Sequence, residues 1–87
     1  PPGIGALLER TITAARYAAE SRERADVAAR ITELVDQSGL TTTDFASRIG
    51  TSRSRLSTYR TGSVTPSAAL LLRMESLAAR LRAGPRQ

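Results

Sequence analysis

Between residues 48 and 60 the chain carries four arginines, Arg48, Arg53, Arg55 and Arg60, set among serines and threonines without a single acid. A guanidinium can grip the O6 and N7 edge of guanine with two parallel hydrogen bonds, and short hydroxyl side chains permit close approach to a groove. These residue types point to recognition of a polyanion, and the rest of the composition points away from catalysis. Histidine and cysteine are both absent, which removes disulfide frameworks, thiol nucleophiles, most zinc sites and every dyad or triad that uses imidazole as its base. What remains is scattered carboxylates and the fragment Gly3-Ile4-Gly5, which lacks the rest of any phosphate loop. The chain is expected not to be an enzyme and to use no cofactor and no metal.

All thirteen basic residues are arginine, against eight acids, for a formal net charge of +5. Their distribution is more informative than the total. Residues 1–44 hold five arginines against seven acids, whereas residues 45–87 hold eight arginines against one acid, Glu75. The cationic surface therefore belongs to the second half, as a nucleic-acid partner would require. Eighty-seven residues, 40% of them hydrophobic and 24% charged, suit one small domain. Such a chain buries only about 60% of the surface its unfolded form exposes, so it needs efficient helix packing or a partner subunit. No apolar run approaches the ~18 residues of a membrane span and no signal peptide opens the chain. A soluble, cytoplasmic protein, drawn to the nucleoid by its DNA and without a membrane partner, is expected.

The elements that must position the arginines are all helical. Apolar residues recur at three- and four-residue steps from Ile4 through Leu7, Leu8, Ile12, Ala15 and Ala19, and neither Gly nor Pro intervenes between Ala6 and Ser38. The first stripe lies almost opposite a second one formed by Val27, Ile31, Leu34 and Val35, which predicts two helices, about 4–20 and 22–37, with Ser21 capping the second. One unbroken helix is the alternative. Gly39 stops this segment. Thr41 then has N-cap chemistry for a short helix at about 42–48, closed by Gly50, and Thr51-Ser52 starts another over 53–61, closed by Gly62. Thr65 is expected to cap a last helix with Pro66 in its first position and Leu70, Met74, Leu77, Ala78 and Leu81 on one face, ended by Gly84-Pro85. With Leu56 and Tyr59 turned inward, the opposite side of the helix over 53–61 is Ser54, Ser57, Thr58 and Thr61, flanked by Arg53 and Arg55. That face is wholly polar and free of acids.

Two short helices joined by Gly50-Thr51-Ser52 form a helix-turn-helix signal, with Ala46 permitting close approach and Gly50 able to take a positive φ. Here the chain resembles the lambda-repressor/Cro (Xre) family over LTTTDFASRIGTSRSRLSTYRTGSVTPSAALLLRMESLA, about residues 40–78, with Ala46, Gly50, Ser52, Leu56, Tyr59, Gly62 and Pro66 at the family's spacing. The resemblance implies an all-α lambda-repressor-like helix-turn-helix domain over residues 22–84, which an extra N-terminal helix over 1–21 brings to a five-helix chain. It also implies that the helix over 53–61 lies in the major groove of double-stranded DNA, with Ser52, Arg53, Ser54, Ser57 and Thr58 reading bases. Thr42, Arg48, Arg55, Arg60 and Thr61 are the expected phosphate contacts. Thr42 stands where the family usually has a Gln and offers a shorter reach. Where some phage repressors pair an Arg of the first helix with a Glu near the end of the third, this chain has Val35 and Arg60, leaving Arg60 to a phosphate or to Glu33 or Asp36.

The stripe of Ile4, Leu8 and Ile12 must be covered by the domain, by a twin or by another protein, and is expected to form a homodimer interface. The implied function is a sequence-specific transcriptional regulator that reads a palindromic site as a dimer. Two alternatives compete with it: the DNA-binding antitoxin of a toxin–antitoxin pair, with the helix over 4–20 gripping a protein partner, and a helical interaction module without DNA binding.

Overall fold

A computed structural model describes the backbone of residues 4–84 and the side chains of residues 10–84. Among these, four helices and no strand are present: α1 over Ile4–Ser38, α2 over Thr42–Ile49, α3 over Arg53–Arg60 and α4 over Ala68–Ala83. The five-helix expectation is corrected at its first break. The segment expected as two helices is one helix of 35 residues, about 52 Å long at 1.5 Å per residue. Ser21 does not cap a second helix; its hydroxyl lies inside α1 and accepts a hydrogen bond from Arg24 Nη2 at 3.2 Å. The opposed phases of the two stripes do not require a break, because residues 10–18 are exposed while the later stripe meets the domain. Alanine, arginine and glutamate dominate the stretch and favour the helical backbone without tertiary help.

The second half of α1 supplies one wall of the core. Ile31, Leu34 and Val35 are buried against Phe45, Ala46 and Ile49 of α2, Leu56 and Tyr59 of α3, and Met74, Leu77 and Ala78 of α4, with Val27, Leu40, Leu70, Leu71 and Leu81 packed partly buried around them. The surplus apolar residues of α4 divide accordingly: Leu71 reaches the core, whereas Leu72 stays 67% exposed. At the corner after α1 the buried Ser38 hydroxyl donates to the Val35 carbonyl at 2.6 Å and accepts from the Leu40 amide at 3.1 Å. This settles backbone groups that the helix end would leave unpaired.

The start of α4 also differs from expectation. Ser67, not Thr65, is its N-cap, with φ −63°, ψ 157° and its hydroxyl accepting from the Leu70 amide at 3.1 Å. Pro66 is buried and precedes the helix instead of opening it. Serine caps at least as well as threonine, and the shift leaves the inward phase of Met74, Leu77 and Ala78 unchanged.

A two-pronged ion pair fastens α1 to α4: Arg30 Nε donates to Glu75 Oε2 at 3.0 Å and Nη2 to Oε1 at 2.7 Å, while Nη1 reaches Glu33 Oε2 at 2.9 Å. The hydrogen bonds from Arg30 hold the Glu75 carboxyl below its ordinary value. A carboxylate lowered in the folded state contributes stability above its unfolded pKa, near 4.5, and loses it as the pH falls through the folded value. Glu75→Gln is therefore expected to be less stable than the parent at neutral pH, with the difference shrinking steadily below about pH 4.5. Urea melts of both proteins across a pH series would measure this, and a pH-independent difference would refute it.

Candidate nucleic-acid interface

The turn between α2 and α3 is built from local chemistry that the sequence displays. Thr41 takes the amide of Asp44 on its hydroxyl at 3.1 Å and the amide of Phe45 on its carbonyl at 2.9 Å, which fixes the start of α2. At the other end Gly50 adopts φ 82°, and the Thr51 amide reaches back to the Ala46 carbonyl at 2.9 Å, the six-to-one bond of a helix closed by a left-handed residue. An added Cβ at Gly50 would meet nothing nearer than Arg73 Nη1 at 4.0 Å, so glycine is required there by backbone conformation, not by space. Ser52 then caps α3, accepting from the Arg55 amide at 3.0 Å.

Leu56 and Tyr59 seat α3 on the core, and the rest of the helix faces outward. Ser52, Arg53, Ser54, Arg55 and Ser57 are exposed and Thr58 is half-buried. Two open grooves flank the helix. One, of about 540 Å³, is lined by Ser52, Ser54, Arg55, Thr58, Tyr59 and Val64. The other, of about 360 Å³, is lined by Thr32, Thr42, Arg53, Ser57, Arg60 and Thr61. No carboxylate lines either one among the described residues. Apart from Arg48, the expected base-reading and phosphate-binding residues line these two grooves, but interleaved: Arg55 shares a groove with Ser52, Ser54 and Thr58, while Arg53 and Ser57 share one with Arg60, Thr61 and, from α2, Thr42.

Arg60 turns to neither Glu33 nor Asp36. Its Nη1 donates to Thr42 Oγ1 at 3.0 Å, joining the end of α3 to the start of α2, and Glu33 is held by Arg30 instead. Val35 is in the core. The hydroxyls divide by what they have left to offer. Thr58 Oγ1 donates to the Arg55 carbonyl at 2.6 Å and Thr61 Oγ1 to the Thr58 carbonyl at 3.2 Å, leaving each able to accept. The Ser52 hydroxyl accepts from a backbone amide and keeps its proton for an outside acceptor. The start of α3 has no acid in its first turn, so its dipole favours an anion, whereas α2 carries Asp44 there.

The loop after α3 folds back on the helix, with the Ser63 and Val64 amides donating to the Thr58 carbonyl at 3.1 and 3.3 Å. This places Val64, 50% exposed, beside the outward face of α3. Val64 and Thr32 were not expected beside that face. The only local signals were a lone valine in a polar loop and a threonine next to the core-facing Ile31. Arg48 lies elsewhere, in a groove between α2 and α4 that shares no residue with the two beside α3. Of the expected dimer residues, Ile12 is 56% exposed, and the side chains of Ile4 and Leu8 fall outside the described residues.

A model of a helix-turn-helix domain family matches residues 14–86 of the chain. The chain belongs to that family. No curated protein and no solved structure matched it. The helix-turn-helix domain so matched takes in all of α2, α3 and α4 and most of α1, and its membership supports DNA binding. Among its described residues no helix is long and apolar enough to cross a membrane.

Proposed function

We propose that this domain is a sequence-specific regulator of transcription of the lambda-repressor/Cro type, binding double-stranded DNA as a two-fold dimer with α3 in the major groove. The observation that carries the reading is the outward side of α3, exposed, acid-free and bearing Arg53 and Arg55, on a helix anchored by Leu56 and Tyr59. Arg53, Ser54 and Ser57 read base edges, with Ser52 and Thr58 at the margins of that face. Arg55, Thr61 and the Thr42–Arg60 pair hold phosphates. The protein acts by binding and performs no chemistry, in the cytoplasm and on the nucleoid. Selection of bound sites from random duplexes tests the reading directly: recovery of a two-fold symmetric motif supports it, and recovery of no motif rejects it.

The exposed stretch of α1 over residues 10–18, with Ile12 and the 67% exposed Tyr17 outside the core, is the dimer interface in this reading. Dimerisation would set two α3 helices about 34 Å apart on one side of the duplex. Ile12→Glu is expected to keep its helical content, lower the mass seen in sedimentation and weaken binding to a full site far more than to a half-site. An Ile12→Glu protein that still sediments as a dimer would rule this stretch out as the interface. Stable co-purification of an unrelated chain on this stretch would favour the antitoxin reading.

A further inference from the structure

The groove between α2 and α4 is basic, partly apolar and separate from the face given to DNA. It has an open volume of about 450 Å³, and Arg48, Arg73 and Arg80 surround a floor made by Ile49 and Leu77. A second hollow of about 290 Å³ shares Arg48, Leu77 and Arg80 with it and extends it to Leu81. The track runs from Leu72 to Leu81 along α4, about 13 Å at the helical rise.

Three observations set the character of what fits there. The three arginines have no carboxylate partner among the described residues, because the one acid of the second half, Glu75, is drawn to the other side of α4 by Arg30. Leu72 stands 67% exposed at the edge of the groove, the most exposed leucine of α4. Ile49 and Leu77 close the bottom and are themselves buried, so Leu72 and the partly exposed Leu81 supply apolar surface at the two ends, which a phosphate chain cannot use and an amphipathic peptide can. The cations call for carboxylates and the leucines for apolar side chains on the same ligand.

We propose that the α2–α4 groove is a docking site for an acidic amphipathic segment of a partner protein, whose carboxylates meet Arg48, Arg73 and Arg80 while its apolar side chains cover Leu72 and Leu81. Because this surface shares no residue with the grooves beside α3, the segment and the duplex bind together. The site thus gives the DNA-bound domain a point of attachment for another protein.

The test uses a fluorescein-labelled synthetic helix-forming peptide with leucines at i, i+3 and i+4 steps and glutamates elsewhere, a lysine version of the same peptide as control, and the full chain. The glutamate peptide is expected to bind, with and without duplex present, and the lysine peptide is not. Arg73→Gln/Arg80→Gln and, separately, Leu72→Ser are each expected to weaken the glutamate peptide by about tenfold while leaving folding and duplex affinity unchanged. Equal peptide binding by parent and variants would overturn the proposal. So would a loss of duplex affinity in the double variant matching that of Arg60→Ala, which would make the groove part of the DNA surface. Loss of dimer mass in the variants would assign the groove to a second copy and equally overturn it. Since peptide and duplex are measured separately, failure of this site leaves the DNA reading standing, and the reverse.

Discussion

Phe45→Ala is expected to remove about 3–5 kcal/mol of stability, the range for deleting a fully buried aromatic ring. Phe45 is wholly buried together with Ile31, Leu34, Leu56 and Met74, so the cavity would open where all four helices meet. A chain of this size holds roughly 4–13 kcal/mol at 0.05–0.15 kcal/mol per residue. The substitution therefore removes from about a quarter of the stability of the domain to nearly all of it. In urea melts followed by circular dichroism the parent should show a cooperative transition and Phe45→Ala one at a much lower denaturant concentration. Arg22→Ala, at an exposed position of α1, should change the stability by less than about 0.5 kcal/mol. A Phe45→Ala protein within about 1 kcal/mol of the parent would mean that the core is not organised around this ring.

The elements that the sequence made legible are those whose signals are local. Thr41, Gly50 and Ser52 act on amides and carbonyls within a few residues of themselves, and the ends of α2 and the start of α3 follow from their side-chain and backbone chemistry alone. The outward face of α3 was legible for the same reason: two inward residues, Leu56 and Tyr59, fix the phase of a short helix. The break expected near Ser21 failed because it took opposed stripe phases to require a break in the backbone. Residues 10–18 are exposed, so their phase places no demand on the domain, and an unbroken run without Gly or Pro stays helical. Thr65 lost to Ser67 because two good capping residues bracket Pro66, and the burial of Pro66 is a tertiary fact.

The features that could not be read are the long-range pairings. Arg30 meets Glu75 across 45 positions and Arg60 meets Thr42 across 18, and in neither case does spacing or periodicity mark the partner. The same holds for the separation of Arg48 from the other arginines of residues 48–60. A stretch that is acid-free in sequence is split in space because Arg48 follows the face of α2 that meets α4, while Arg53, Arg55 and Arg60 follow α3. Charge in a sequence window therefore overstated how many cations address one ligand, and that bears directly on how binding to DNA should respond to salt.

Duplex affinity is expected to fall steeply with salt, with a slope set by Arg55 and Arg60 alone among the phosphate-binding arginines. Each neutralised phosphate contributes about −0.9 to the slope of log K against log salt. Two arginines in each of two subunits give a slope of about −3.6, or a loss of roughly 150-fold between 50 and 200 mM salt. Arg60→Ala should flatten the slope by about 1.8 per dimer and weaken every sequence alike. Arg53→Ala should leave the slope nearly unchanged, cost about 1–3 kcal/mol on the preferred site and relax the choice at one base pair in each half-site. The two grooves make this contrast demanding, because Arg53 and Arg60 line the same one. If Arg53→Ala flattens the slope as Arg60→Ala does, that groove is a phosphate cradle and base reading passes to the other flank, where Arg55 stands with Ser52, Ser54 and Val64. A salt-independent affinity for the parent protein would remove DNA as the ligand of α3 altogether.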